Sequence, residues 1–180
     1  MTDPIWTAVS SRRAIRKFAD RPLEEAHLER ILRAGRRSAS SNNRQRWAFI
    51  VCREREHLEA LAAVGPYAGH LAGATVAIAL VTPDPHAPGA QLSITFDIGL
   101  AADAMMLVAW ELGVGSVPAT VYDQGLARNL LGYPADMHCE FLISFGYPAD
   151  PSDLTRPLKP GGRRPLADLV HEERWSSSGD

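Results

Sequence analysis

The stretch from Leu92 to Leu112 is the most apolar of the chain, and it contains Gly99 but no proline. It is too long for a strand. Its few polar residues, Ser93, Thr95, Asp97, Asp103 and Glu111, do not form a wide wet face. A helix that is apolar nearly all round must be buried nearly all round. One small sheet covers one side of it, so the sequence calls for a second cover, for which a second subunit is the candidate. No uninterrupted apolar run reaches the ~18 residues of a membrane span, so no transmembrane helix is expected.

The remainder of the 180 residues supplies the other layers of one domain. Pro22 to about Arg36 reads as a helix. Glu24 and Glu25 favour its positive end, Arg33, Arg36 and Arg37 its negative end, and Leu28, Ile31, Leu32 and Gly35 form its apolar stripe. Trp47 to Cys52 reads as a strand and Glu54 to about Val64 as a helix stopped by Gly65-Pro66. Ala74 to Val81, apolar on both faces, reads as a central strand. After the long helix come a short extended segment, Val117 to Tyr122, and a helix, Gln124 to Leu131, closed by Gly132. Glu140 to Gly146 is a further strand. Helices alternate with strands, so the class is α/β or α+β. Residues 1–150 read as the domain core and 151–180, rich in Pro, Gly and basic residues to begin with, as an arm that packs on a partner.

Charge and cysteine content narrow the function. With 19 basic and 21 acidic side chains the net charge is −2, which argues against a nucleic-acid protein held by an overall basic surface. The opening MTDPIWTAVS has neither a charged n-region nor an apolar h-region, so no signal peptide is expected. Cys52 and Cys139 lie in apolar strand-like runs and read as buried free thiols, which points to a reducing, cytoplasmic setting. GxSxG, HExxH and CxxC signatures are missing, and Gly113-x-Gly115 follows a helix, so it is no Rossmann fingerprint. His138-Cys139-Glu140 opens a strand, where alternation sends Cys139 to the opposite face from the other two; it reads as a strand edge, and no metal site is expected.

Two polar clusters remain. In Arg12-Arg13-Ala14-Ile15-Arg16-Lys17-Phe18 four cations fall within six residues. That is ordinary on a solvated face, but arginine forks also pair bidentately with phosphate oxygens. Ser40-Ser41-Asn42-Asn43 is either a hydrophilic turn or a set of hydroxyl and amide groups suited to a phosphate or a heteroaromatic edge. A second basic pair, Arg163-Arg164, lies in the arm.

These segments together resemble the nitroreductase family of flavoproteins. Residues 12–18 resemble its R-R-S-x-R-x-F opening, and Ala39 to Trp47 its P-S-x-x-N-x-Q-P-W motif at unchanged spacing. Asp97-Ile98-Gly99 with the later Gly113-Val114-Gly115-Ser116 is similar to D-x-G…G-L-G-S, and Phe145-Gly146-Tyr147-Pro148 to I-G-Y-P. Arg163-Arg164-Pro165-Leu166 looks like the basic C-terminal phosphate contact. The resemblance implies a central mixed sheet flanked by helices, an intertwined homodimer with an extended C-terminal arm, and FMN at the interface. It implies that Arg12, Arg13 and Ala14 meet the FMN phosphate and ribityl chain and Arg16 the pyrimidine edge. Ser40, Ser41, Asn43 and Gln45 would approach from the other subunit. Pro118, Ala119, Thr120 and Val121 would pass the flavin ring, with backbone groups of Thr120 and Val121 near O4 and N5. Arg163 and Arg164 would return to the phosphate. The chain departs from the motifs at Ala14 (serine), Ala39 (proline) and Arg46 (proline), and Thr120 stands where larger members sometimes carry a glutamate.

The activity so implied is reduction of a small acceptor (a nitroaromatic, quinone or enone) by NADH or NADPH in ping-pong fashion. A flavin carries out the difficult step itself, which accounts for the missing acid/base dyad. Arg16 near N1 and O2 would be the electrostatic partner of the reduced cofactor. The same fold implies alternatives: flavin fragmentation, dehalogenation, azoline oxidation, or FMN binding without turnover.

Overall fold

Val76, Ile78 and Leu80 face one way along a strand and Ala77, Ala79 and Val81 the other, and all six are buried. A strand that is apolar on both faces needs a helical layer on each. The computed structural model, which describes residues 3–157 and 161–175, supplies them. Its sheet has the order β1-β2-β4-β3, with β1 Ala48–Cys52, β2 Val76–Pro83, β3 Gly115–Thr120 and β4 Met137–Gly146. All three pairings are antiparallel, and a single parallel bridge, Ala14 to Ser116, lies outside the named strands. Helices α2 (Glu25–Arg36) and α4 (Ser93–Glu111) cover one face, and α3 (Arg55–Leu61) and α5 (Gln124–Leu131) the other. The architecture is α+β.

The elements follow the sequence pattern with instructive exceptions. Leu28, Ile31 and Gly35 of α2 are buried as its stripe requires, though the helix starts at Glu25 and leaves Pro22 outside. α5 is capped by Asp123, whose carboxylate accepts the Leu126 N–H at 2.8 Å, and closes on Gly132 at φ 70°. An N-terminal helix, α1 (Pro4–Ser11), was not expected. Its signals are Asp3, whose side chain accepts the Trp6 N–H at 3.1 Å, and Pro4 in the first turn. Strand β4 begins at Met137, three residues before Glu140, and is bulged: Leu80 faces Phe141 while Val81 faces Cys139, so Glu140 is the extra residue. Cys52 and Cys139 are free and buried in the α3/α5 layer, and burial pushes their thiols up to about 11 and about 12.

Helix α4 is covered by its own chain on one side. Ile94, Asp97, Ile98, Ala101, Met105 and Ala109 are buried against the sheet and α2. Its other side stays open: Leu92 is 93% and Phe96 69% exposed. By length and composition α4 is the one helix among the described residues long and apolar enough to cross a membrane; interspersed polar residues kept it below that mark as an uninterrupted run. Trp110, near its end, donates its indole N–H to the Leu154 carbonyl at 2.9 Å, so the arm first crosses its own helix. Gly35 makes close approach of α2 and α4 possible, since a Cβ there would lie 2.1 Å from the Met105 Cε.

Gly115 does the same for the segment after α1. A Cβ at Gly115 would stand 2.7 Å from the Cβ and Cγ2 of Ile15, which is 3% exposed. Gly115→Ala should cost about 1–3 kcal/mol through overpacking. It should lower the thermal and urea midpoints; an unchanged midpoint would show that the segment docks without this contact.

Candidate functional site

Three segments come to the free edge of β3 and to α4. The first is the basic run. Ile15 anchors it by donating its N–H to the Ser116 carbonyl at 3.1 Å, which leaves the neighbouring arginines at the surface. Arg12 is half-buried and tied to α4: its guanidinium meets the Asp103 carboxylate at 2.5 Å and the Met106 sulfur at 3.5 Å. Arg13 donates through Nη1 to the carbonyls of Ser10 and Arg12, both at 2.8 Å, while its buried Nε has no hydrogen-bond partner. Arg13, Ala14, Ile15 and Arg16 line a cleft of about 420 Å³ whose other wall is the arm: Asp153, Arg156, Pro157 and Gly162. Arg156, ion-paired with Asp153, is a cation that no motif singled out. Arg163 follows Gly162 directly and bonds its carbonyl at 3.0 Å, whereas Arg164 turns to the Asp168 carbonyl at 2.9 Å.

The second segment is the polar turn. Asn42, Asn43 and Gln45 have φ of 53°, 53° and 48°. Asparagine visits this left-handed region readily; glutamine does so less easily. The turn holds itself together: Ser40 Oγ accepts the Gln45 N–H at 3.0 Å, and Gln45 Nε2 donates to Asn43 Oδ1 at 3.1 Å. Its anchor is Asp97 of α4, whose carboxylate accepts the Ser41 N–H at 3.0 Å. Asp97 is 8% exposed, and this bond gives a role to a residue the sequence marked only as part of a motif. Arg46, which replaces the motif proline, reaches Gln91 Oε1 at 2.7 Å and ties the turn to the start of α4. Nothing in the structure explains Ala39.

The third segment is β3 itself. Pro118 is exposed on the edge, Ala119 and Val121 are buried, and Thr120 is half-buried. The Val121 N–H is bonded to the Glu140 carbonyl at 2.9 Å, so it is spent inside the sheet. Antiparallel alternation turns the Thr120 N–H to the free edge instead. Of these two backbone donors, the Thr120 N–H is the one the sheet leaves unspent. Behind this edge His70 contacts Ser144 Oγ at 2.7 Å. Its pKa is lowered by burial and then by the Arg16 charge, with the Pro118 backbone acting the other way. His70 lies in a loop without a readable motif, and only packing brings it here.

Within this chain the basic cleft and the polar turn do not converge. Asp97 and Asp103, which hold them, are six residues apart on α4: about 9 Å along the axis and about 240° around it. The two clusters therefore sit on different faces of one helix.

The nitroreductase family model matches residues 9–67 and 62–147, which span the basic run, the polar turn, α4 and all four strands. The chain belongs to the nitroreductase family. A protein of Archaeoglobus fulgidus provisionally named NADH dehydrogenase/NAD(P)H nitroreductase is 32% identical over 172 residues, covering 93% of this chain and 96% of the relative. The oxygen-insensitive NADPH nitroreductase of Salmonella typhimurium is 30% identical, over 96% of this chain and 75% of its own length. Among solved structures, nitroreductase A of Vibrio parahaemolyticus superposes with a TM-score of 0.85 at 23% identity, over 99% of this chain and 79% of that one. The nitroreductase fold therefore carries all three segments.

The buried Asp97 carboxylate anchors the polar turn to α4. Asp97→Ala should cost about 1.5–3 kcal/mol, the usual worth of a hydrogen bond to an ionised group. Amide exchange at Ser41 should accelerate with it. Native protection at Ser41 in the variant would show that the turn is held by its internal bonds alone.

Proposed function

We propose that this oxidoreductase binds FMN and uses NADH or NADPH to reduce a small organic acceptor in a cytoplasmic setting. The carrying observation is the cleft beside β3: Arg13 and Arg16 on one wall, Arg156 with its partner Asp153 on the other, and a buried Arg13 Nε without a partner. That donor set suits a phosphate dianion joined to a planar, hydrogen-bonding ring. The relatives' names support it: an NADPH-flavin oxidoreductase of Vibrio harveyi is 26% identical over 93% of this chain and 72% of its own length.

FMN, when bound, supplies a reversible two-electron carrier, and the protein supplies orientation and charge. Arg12, Arg13 and Arg163 hold the phosphate in this reading, and Arg16 faces the pyrimidine edge. The Thr120 N–H donates toward the ring from the free strand edge. The neutral His70 behind Arg16 adds no second cation there. Ser40, Ser41, Asn43 and Gln45 belong to the neighbouring subunit's contribution, in keeping with their separation from the basic cleft within one chain.

The homodimer rests on exposed apolar surface. Leu92 just before α4 and Phe96 within it, Ile5 and Trp6 of α1, and Leu166 and Trp175 of the arm are each more than half exposed. So much open apolar surface is unusual for a monomer and suits an obligate interface. Sedimentation at low concentration should give a dimer, and truncation after Asp150 should weaken both the dimer and FMN binding. A monomer that retains FMN would overturn the two-subunit site.

The cofactor reading makes two demands. The purified protein should release FMN on denaturation, and anaerobic NADH or NADPH should bleach it; tight FMN that neither nucleotide bleaches would favour a binding protein over an enzyme. Asp103 competes with a phosphate for Arg12. Arg12→Ala should therefore weaken FMN about tenfold or more, while Asp103→Asn should tighten it severalfold. Equal affinity in all three proteins would remove Arg12 from the phosphate site.

A further inference from the structure

Away from the basic cleft, His86, His138 and Glu140 bring two imidazole nitrogens and a carboxylate oxygen within 4.8 Å of one another. We propose that they form a divalent-cation site for zinc or a similar late first-row metal. This inference stands apart from the flavin reading.

The site lies at the β4 bulge, where Glu140 is the extra residue opposite the Leu80–Val81 step. His138 and Glu140 share a side, as strand alternation requires, while Cys139 is buried in the opposite layer. His138 Nε2 lies 3.1 Å from Glu140 Oε1. His86, from the loop between β2 and α4, bonds the same oxygen through its own Nε2. The two rings meet edge-on, with centroids 5.3 Å apart at 68°. The sequence reading saw only the His138-Cys139-Glu140 tripeptide, in which alternation keeps His138 and Glu140 on one face and Cys139 on the other; the third ligand comes from 52 positions upstream of His138.

Asp84 completes the arrangement. Its Oδ1 accepts the His86 N–H at 2.8 Å, which shapes the loop, and lies 3.7 Å from His138 Nδ1. His138 is therefore flanked by a carboxylate at each nitrogen. A neutral imidazole has one N–H and can donate to only one of them. With a cation between the two Nε2 atoms and Glu140, the conflict disappears. Both Nε2 lone pairs face the metal, and the His138 Nδ1–H is directed at Asp84, the outer carboxylate that metal-bound histidines commonly have. Two imidazoles and one carboxylate suit zinc-class ions, and not calcium or magnesium, which take oxygen ligands.

The position gives the site a purpose. The cation would clip the Asp84–His86 loop to β4 at Glu140, the residue whose carbonyl receives the Val121 N–H. Binding there would stiffen the end of β3, next to Thr120.

The test is titration of tag-free, full-length protein with zinc chloride by calorimetry, and with cobalt(II) by visible absorption. One equivalent per chain is expected. His86→Ala should weaken zinc at least tenfold, and Glu140→Gln likewise. Asp84→Asn should weaken it about 10–100-fold, the range for outer-shell partners. His86 is a surface residue, so its variant should keep the wild-type circular dichroism and metal-free melting temperature. Zinc should raise the melting temperature of wild type and not of His86→Ala. Failure of wild type to take up zinc saturably, or uptake unchanged in His86→Ala, would overturn the proposal and leave a proton-shared histidine–carboxylate cluster. So would a cobalt–thiolate band in the near ultraviolet, which would place the metal on Cys52 or Cys139.

Discussion

The contact between Met105 of α4 and the bare Cα of Gly35 in α2 is the one on which most else depends. It sets α4 deep against the sheet, with Ile98, Ala101, Met105 and Ala109 in the core. The candidate site segments then hang on that helix. Asp97 receives the polar turn, Asp103 receives Arg12, and Trp110 receives the arm at Leu154. A rigid rod with polar anchors on different faces fixes loops that have little regular structure of their own. The close approach matters because side chains packed at native density transmit small displacements.

Charge is distributed unevenly around this rod. Most ion pairs are exposed, such as Arg33–Glu29 and Arg30–Glu111, and contribute little stability. In the proposed reading, the groups that would bind are those open to a new partner. Arg13 Nε is buried without a partner, Arg16 is exposed beside His70, and Arg12 is held by a half-exposed carboxylate that an anion can displace. For Arg13 the physical argument is that a buried donor without a partner costs free energy until an acceptor arrives.

Much of this was legible in the residues. The two-faced apolar run of β2, the stripe of α2 and the stop at Gly132 each follow from periodicity and turn chemistry, and all three were recovered. Arg13, Ala14 and Arg16 are found together on one cleft because they are close in sequence and alternate around a single buried anchor, Ile15. The capping signal of α1 was also present, in Asp3-Pro4, but a short helix without a buried residue gives periodicity nothing to detect. The anchoring role of Asp97, the capture of Arg12 by Asp103 and the place of His70 behind Arg16 were not legible. Each joins positions far apart in sequence, and no local pattern encodes such a distance.

The sequence by itself determined most of the secondary elements, the need for helices on both faces of the sheet and the chemistry of the two polar clusters. Those properties depend on residue type and short-range spacing. Tertiary structure decided which of these groups are free to act. It spent the Val121 N–H on Glu140 and left that of Thr120 at the edge. It held the polar turn and the basic cleft on different faces of α4, so that one chain does not bring them together. It also turned Glu140 out of register to meet His86 and His138. These outcomes depend on strand register and helix rotation, which are fixed only when the whole core packs.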